Sequence, residues 1–147
     1  MTDPIGRAGA VAILLRSLMI QASWNYRTLL GTGFAFALLP VLRRLYGDGE
    51  PLDRAVRRHA ALFNSHPYLS PMALGAVARL EADGEPEAVI ERFKNAVRGS
   101  LGTLGDRLIW AGWRPVCLLA ALTLFAAGLD GWVAALVFLG LYNAGHI

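Results

Sequence analysis

Apolar residues gather along the chain in runs that are shorter than a membrane-crossing helix requires. Crossing the hydrocarbon core of a bilayer takes about 20 residues of helix. Residues 8–20 form one run that Arg16 interrupts, and residues 28–42 form another that contains Pro40. The pattern predicts short, broken or re-entrant membrane helices, which are tolerated where protein or a water-filled cavity covers the break.

Two further apolar runs, residues 116–127 and 132–142, flank the sequence Gly128-Leu129-Asp130-Gly131. As a single helix, residues 115–142 would be about 42 Å long at 1.5 Å per residue, with Asp130 inside the lipid. As two half-helices, they would fold back at the glycine-flanked turn. We favour the second interpretation because it keeps a carboxylate off a lipid-facing helix.

The middle of the chain shows the periodicity of amphipathic helices. Residues 51–64 begin with a proline, which suits a first helical turn, and they place apolar residues on one face. That face consists of Leu52, Ala55, Val56, His59, Leu62 and Phe63. After a polar turn at residues 81–85, residues 86–98 repeat the pattern with Gly99 as the predicted stop. No segment alternates as a strand does, so the predicted fold class is all-α, in one domain over residues 1–147.

The composition supports an integral membrane protein and excludes several other classes. Apolar residues make up 55% of the 147 residues and charged residues 17%, whereas soluble domains average about 25% charged. Between Arg43 and Arg98 there are nine basic and eight acidic residues, a mixed polar surface that gives no reason to expect nucleic acid as a partner. The single cysteine, Cys117, allows no intrachain disulfide. We find no metal-ligand spacing among the three histidines and no catalytic constellation, so we expect no cofactor.

One polar motif stands out from this pattern, Phe63-Asn64-Ser65-His66-Pro67-Tyr68-Leu69. Asn64, Ser65 and His66 are three hydrogen-bonding side chains in a row, and the following proline disfavours helix at His66. His66 is either a cap at a helix C-terminus, where a histidine suits the dipole, or part of a polar binding site. His59, on its apolar face, is better explained as a buried and hydrogen-bonded histidine.

Two other segments carry side chains suited to sugar hydroxyls. Gln21, Trp24 and Asn25 offer two amides and an aromatic plane within about one helical turn, although a tryptophan at a membrane interface would look the same. Asp106 ends a stretch with glycine at every third position, from Gly99 to Gly105, which permits close backbone approach. Its carboxylate could accept substrate hydroxyls, or it could pair locally with the neighbouring arginine.

These segments together resemble the IID component of the mannose-family sugar phosphotransferase system. The resemblance runs in order from about Arg16 to His146. The motifs that carry it are Gln21-Ala22-Ser23-Trp24-Asn25-Tyr26, Gly33-Phe34-Ala35-Phe36-Ala37-Leu38-Leu39-Pro40, Arg44-Leu45-Tyr46, Arg58-His59, the polar motif from Phe63 to Leu69, Gly105-Asp106, Trp110 and Arg114-Pro115.

The resemblance implies a non-phosphorylated membrane subunit, not an enzyme by itself. Such a subunit joins a IIC subunit in the bacterial cytoplasmic (inner) membrane as a hetero-oligomer and forms a channel for a mannose-type hexose. Separate IIA and IIB proteins carry the phosphoryl group. By this resemblance Asn64, Ser65 and His66 line the sugar path, and the further candidates are Gln21, Trp24, Asn25 and Asp106.

Three departures from the family pattern suggest an alternative. Ser65 stands where the family usually has threonine, and the glycine segment reads Gly99-Ser100-Leu101-Gly102-Thr103-Leu104-Gly105-Asp106-Arg107 where the family usually has Gly-Pro-Leu-Ala-Gly-Ile-Gly-Asp-Ser. The family also continues past the motif that ends at His146, so we expect a short or truncated member without the family's C-terminal region. Such a chain could be a non-transporting scaffold or regulatory partner of a phosphotransferase complex. A soluble helical interaction domain is a more distant option.

Overall fold

The computed structural model describes residues 5–145, and the regular structure of this part of the chain is helical. The α-helices are α1 (Gly6–Ser17), α2 (Gly31–Tyr46), α3 (Glu50–His59), α4 (Ser70–Ala82), α5 (Glu87–Gly105), α6 (Arg114–Ala126) and α7 (Gly131–Ala144). A π-helical segment, Asp106–Trp113, lies between α5 and α6. The predicted all-α class is confirmed. His146, the end of the predicted family match, lies outside the described residues.

The chain divides into two compact units, Met1–Thr103 and Leu104–Ile147. In the first unit α2 is the central helix, because α1, α3 and α4 all pack against it. Its buried side chains form the middle of the apolar core with partners from α4 and the loop after α3. The largest fully buried apolar residues there are Phe34, Phe63, Ile20, Leu38, Leu42, Leu74 and Ile90.

Arg16, which interrupts the first apolar run, is used to join α1 to α2. Pro40 lies inside α2 and has no N–H, so the carbonyl of Phe36 four residues earlier loses its helical donor. The guanidinium of Arg16 donates to that carbonyl at 3.0 Å and lies 4.6 Å from the centre of the Phe36 ring. A proline that would weaken α2 therefore creates the acceptor that holds α1.

Two glycines at the start of α2 let backbone segments approach closely. A methyl group at Gly31 would overlap the carbonyl oxygen of Ala61, and one at Gly33 would overlap that of Ile20. Both glycines are buried, and both neighbours are backbone atoms that cannot move aside as a flexible side chain does. The start of α2 is thus fixed between the segment before it and the segment after α3.

The first amphipathic helix ends earlier than its periodicity predicts. α3 stops at His59, whereas the prediction ran to residue 64. Beyond α3 the backbone pairs with the segment before α2: Leu30 N donates to Phe63 O at 2.9 Å, and Phe63 N donates to Thr28 O at 3.2 Å. Phe63 is buried as predicted, but Leu62 is half exposed and does not share the buried face.

The predicted stop at Gly99 is wrong. The helix runs without a break from Glu87 to Ala126, through the π-helical segment. No side chain or backbone lies within 4 Å of a methyl group built at Gly99, so nothing in the packing forces the chain to turn there. Among the described residues this is the one helix whose length and apolar composition suffice to cross a membrane.

The predicted fold-back at the glycine-flanked turn is confirmed, but its first arm, α6, is the end of the helix that begins at Glu87 and not a separate half-helix. α6 and α7 pack against each other and are joined by a turn in which Gly128 has a φ of 97°, a backbone conformation that favours glycine. Asp130 is the N-cap of α7, because its carboxylate accepts from Trp132 N at 2.8 Å. The pair exposes many large apolar side chains, among them Val116, Leu119, Leu122, Phe125, Trp132 and Leu136.

We expect the two ends of this pair to lie on the same side of the membrane. The test replaces Cys117 by alanine, introduces single cysteines at Arg114 or Asn143, and labels intact and inverted vesicles with an impermeant thiol reagent. Both positions should react from one side only. Labelling from opposite sides would show that α6 and α7 do not form a hairpin in the membrane.

A methyl group at Gly33 should destabilise the first unit. Gly33→Ala is expected to cost about 1–3 kcal/mol in the free energy of unfolding, because a backbone carbonyl must shift. The matched control is Gly75→Ala in α4, where nothing lies within 4 Å of the new methyl group and helix propensity favours alanine. Thermal unfolding in detergent should rank the Gly33 variant below wild type and the Gly75 variant at or above it.

Candidate functional site

Two polar loops, residues 18–30 and 60–69, meet in the first unit. The hydrogen bonds between Thr28, Leu30 and Phe63 join them along a short stretch of paired backbone. Leu29, between these residues, has a φ of 53°, in the left-handed region that a branched apolar residue rarely adopts. Such strain typically costs about 1–3 kcal/mol and persists only where the surroundings enforce it. The junction of the two loops is therefore a tightly determined part of the fold.

The second loop contains the polar motif of residues 63–69, and the three polar residues of this motif differ in exposure. Asn64 is exposed, whereas Ser65 and His66 are buried. Ser65 Oγ lies 2.5 Å from Ser70 Oγ, and Ser70 Oγ donates to the carbonyl of His66 at 3.2 Å. Because the Ser70 proton is used in that way, Ser65 is the donor to Ser70. Asn64 alone presents its amide outward from this buried hydroxyl pair.

His66 lies before α4 and not at the end of α3. Its carbonyl accepts from Leu69 N and Ser70 N, each at 3.0 Å, so it shapes the turn that starts α4. Its Nδ1 accepts from Tyr68 N at 3.3 Å. The interpretation of His66 as a cap on a helix C-terminus is therefore wrong, since α3 ended seven residues earlier.

Gly102 brings α5 alongside the same loop. A methyl group at Gly102 would lie 3.9 Å from Asn64 Nδ2 and 3.9 Å from Ser65 Cα. The glycine-spaced stretch thus permits the close approach expected from its spacing, here between a helix and the polar loop. Gly99, three residues earlier, has no neighbour within that range.

The first loop holds Gln21, Trp24 and Asn25, which the structure uses in different ways. Asn25 Oδ1 accepts from Arg27 N at 3.0 Å and from Thr28 N at 2.9 Å. Asn25 Nδ2 donates to Thr28 Oγ1 at 2.8 Å and to Ser23 O at 3.2 Å. This amide is occupied in folding its own loop, whereas Gln21 and Trp24 are exposed.

Asp106 belongs to the second unit, where it is the first residue of the π-helical segment and is exposed. Because the helix continues without a break from Glu87 to Ala126, Asp106 does not start a separate helix. Segments of π-helix often occur at functional positions. Its role as a substrate ligand stays a prediction, as do those of the six other predicted residues.

Sequence reasoning missed a buried ionic network centred on Glu81, which was assigned to a polar turn. Glu81 is a residue of α4 and is 4% exposed. Its carboxylate accepts from Tyr46 Oη, from Arg58 Nη2 at 2.5 Å and from His59 Nε2 at 2.6 Å. The signal was available, because Glu81 follows Val77 by four residues and continues the buried face of α4.

The network fixes the charges of its members. Burial raises the pKa of Glu81, but the hydrogen bonds from His59, Tyr46 and Arg58 outweigh it and hold the pKa at about 2. Burial lowers the pKa of His59, and the bond to Glu81 only partly opposes this. His59 is therefore neutral with its proton on Nε2, which agrees with a buried Nδ1 that has no hydrogen-bond partner among residues 5–145. The interpretation of His59 as a buried, hydrogen-bonded histidine is confirmed.

Acid should destabilise the fold through this network. Both pKa values are lower in the folded than in the unfolded state, so the stabilisation is complete above pH 6.5. It declines first as unfolded His59 takes up a proton, and then between pH 4.5 and about 2 through Glu81. The midpoint of thermal unfolding, measured in detergent, should therefore fall as the pH is lowered through these two ranges.

Glu81→Gln should lower the midpoint at neutral pH and flatten the decline below pH 4.5. Asp83→Asn is the control, since Asp83 forms only an exposed ion pair with Arg79. A wild-type midpoint that does not change between neutral pH and pH 4.5, or equal behaviour of the two variants, would contradict this account.

Comparisons with known proteins place these features in a family context. Residues 5–147 match the family model of the PTS system mannose/fructose/sorbose family IID component. The mannose-specific EIID component of Escherichia coli K12 is 34% identical over 137 residues, which cover 89% of this chain and 48% of that protein. The fructose permease IID component of Bacillus subtilis is 32% identical over 139 residues, covering 90% and 50%.

A solved structure gives the same picture. A chain from the cryo-EM structure of the mannose transporter ManYZ in complex with microcin E492 superimposes with a TM-score of 0.87 at 29% identity. The match covers 96% of this chain and 53% of the solved one. The chain thus spans about half the length of the relatives and of the solved chain that it matches.

Proposed function

Because this chain belongs to the IID component family of the mannose/fructose/sorbose phosphotransferase system, a family of membrane proteins, we propose that it contributes to a sugar channel. In this proposal it assembles with a IIC subunit in the bacterial cytoplasmic membrane and helps to translocate a mannose-type hexose. Separate IIA and IIB proteins phosphorylate the sugar, and this chain carries no phosphoryl group.

The observation that carries the proposal is the junction of the two polar loops. Asn64 is exposed on a loop whose backbone is paired with another loop and which α5 approaches at Gly102. A side-chain amide offers both a donor and an acceptor, and a rigid support keeps it aimed at one sugar hydroxyl.

The remaining candidate residues differ in the role that we propose for them. Ser65 and His66 support Asn64 from the buried side of the loop. Gln21 and Trp24 are exposed on the adjoining loop and are free to meet a sugar, with the indole face suited to its apolar side. Asn25 is a positioning residue, because its amide is engaged within the loop. Asp106, which belongs to the second unit, is proposed by itself as an acceptor of sugar hydroxyls.

The apolar surfaces suit the proposed environment. The exposed side chains of α6 and α7 form a patch that water alone would not stabilise, and lipid or a IIC subunit would cover it. The names of the two relatives refer to mannose and to fructose, so the sugar is proposed only at the level of a hexose.

The Asn64→Ala variant should bind sugar much more weakly while folding and assembling normally. Loss of the amide leaves a substrate hydroxyl without its partner, which costs about 1–3 kcal/mol and weakens binding roughly 5- to 150-fold. Uptake of labelled hexose by a strain that lacks its own IID protein, complemented with this chain and its IIC subunit, measures the effect.

The control for that experiment is Asn143→Ala, which removes an exposed amide that donates to the carbonyl of Leu139 in its own helix. Co-purification with the IIC subunit should be the same for all variants. If wild-type chain restores uptake and Asn64→Ala is as active as wild type, the polar loop has a structural role only. If the wild-type chain assembles but restores no uptake, the scaffold or regulatory alternative replaces the transport function.

A further inference from the structure

A groove of about 200 Å³ in the first unit combines buried and half-buried basic side chains. Arg58 from α3 and Lys94 and Arg98 from α5 line it, together with Glu91, Asn95 and two residues that follow α3. A water molecule occupies about 30 Å³, so the groove has room for a small polyatomic ion or several waters. None of the predicted sugar-site residues lines it.

Lys94 is a buried cation that forms no ion pair with a carboxylate among the described residues. Its side chain is 6% exposed, and its Nζ donates to the carbonyl of Arg58 at 3.0 Å and lies 5.4 Å from the centre of the Phe34 ring. Within the part of the chain that the structure describes, no carboxylate forms an ion pair with it inside 4 Å. Buried charges are normally paired, because removing them from water is costly.

Arg58 also lines the groove and carries an unpartnered buried donor. Its side chain is 9% exposed, and its two terminal nitrogens bond Glu81 and Glu87. Its Nε is buried and has no hydrogen-bond partner among the described residues. Of the two carboxylates that pair with Arg58 in the described part of the chain, Glu81 is fully buried and Glu87 is exposed, so Glu87 compensates the positive charge only partly.

Arg98 extends this excess of positive charge toward the surface. It follows Lys94 by one helical turn on α5, so both side chains lie on the same face. Glu91 also lines the groove, three residues before Lys94 on the same face of α5, and it is exposed to solvent, which screens its charge. Three basic side chains and one carboxylate line the groove, so its lining is net positive.

We propose that this groove binds one phosphate-type oxyanion, either inorganic phosphate or the phosphate group of a phosphorylated sugar. Guanidinium and ammonium groups are the side chains that recognise phosphate oxygens, and charge-assisted bonds to them are strong. The site is separate from the proposed sugar path, so it does not depend on the transport function.

The test titrates the full chain in nonionic detergent with inorganic phosphate, with glucose 6-phosphate and with sodium chloride at matched ionic strength, and follows binding by calorimetry. Phosphate-bearing ligands should give saturable binding. Arg98→Ala should weaken it about tenfold or more, as expected for loss of a charged hydrogen bond. Arg92→Ala, an exposed arginine of α5 that does not line the groove, should leave it within about twofold.

Lys94→Met provides a second variant, which retains an unbranched side chain and should abolish saturable binding. The ligand that binds more tightly, free phosphate or sugar phosphate, identifies the source, and either supports the site. The proposal is overturned if chloride reproduces the effect, if Arg92→Ala and Arg98→Ala weaken binding equally, or if folded Lys94→Met binds phosphate as wild type does.

Discussion

The buried carboxylate of Glu81 organises the first unit, because two other helices direct three donors at it. Tyr46 comes from the end of α2, and Arg58 and His59 come from the end of α3. Removing one partner of such a buried ionic group commonly costs about 3–5 kcal/mol, since the remaining charges stay in the interior. The same arginine reaches α5 through Glu87, so the carboxylate also influences where that helix lies.

The position of α3 has consequences for the polar loop that follows it. Since the Glu81 network holds the last turn of α3, the backbone of residues 60–63 starts from a fixed point and pairs with the segment before α2. Gly31 allows that pairing, because any side chain there would meet the backbone of Ala61. The exposed amide of Asn64 is thus supported by rigid elements on both sides, which is the condition for selective binding of a polar ligand.

The second unit is not organised around a buried polar network. Its helices α6 and α7 bury few side chains, and their apolar residues face outward. What defines the unit is the turn at Gly128 and the cap at Asp130, which satisfy backbone groups that lipid could not. In the middle of a single long helix the carboxylate of Asp130 would lie in lipid at a high free-energy cost, and at the turn it avoids that cost.

The sequence by itself determined the helical class, the hairpin at Asp130, the buried state of His59 and the family, because these depend on local periodicity, local caps and ordered motifs. The tertiary structure alone decided where α3 ends, since Phe63 pairs with a segment more than thirty residues away. It also decided that Gly99 lies within a continuous helix, that Asn25 serves its own loop, and that Glu81 is buried. Glu81 looked like a turn residue because its partners are contributed by other helices, and a polar side chain becomes tolerable in a core only where such partners converge.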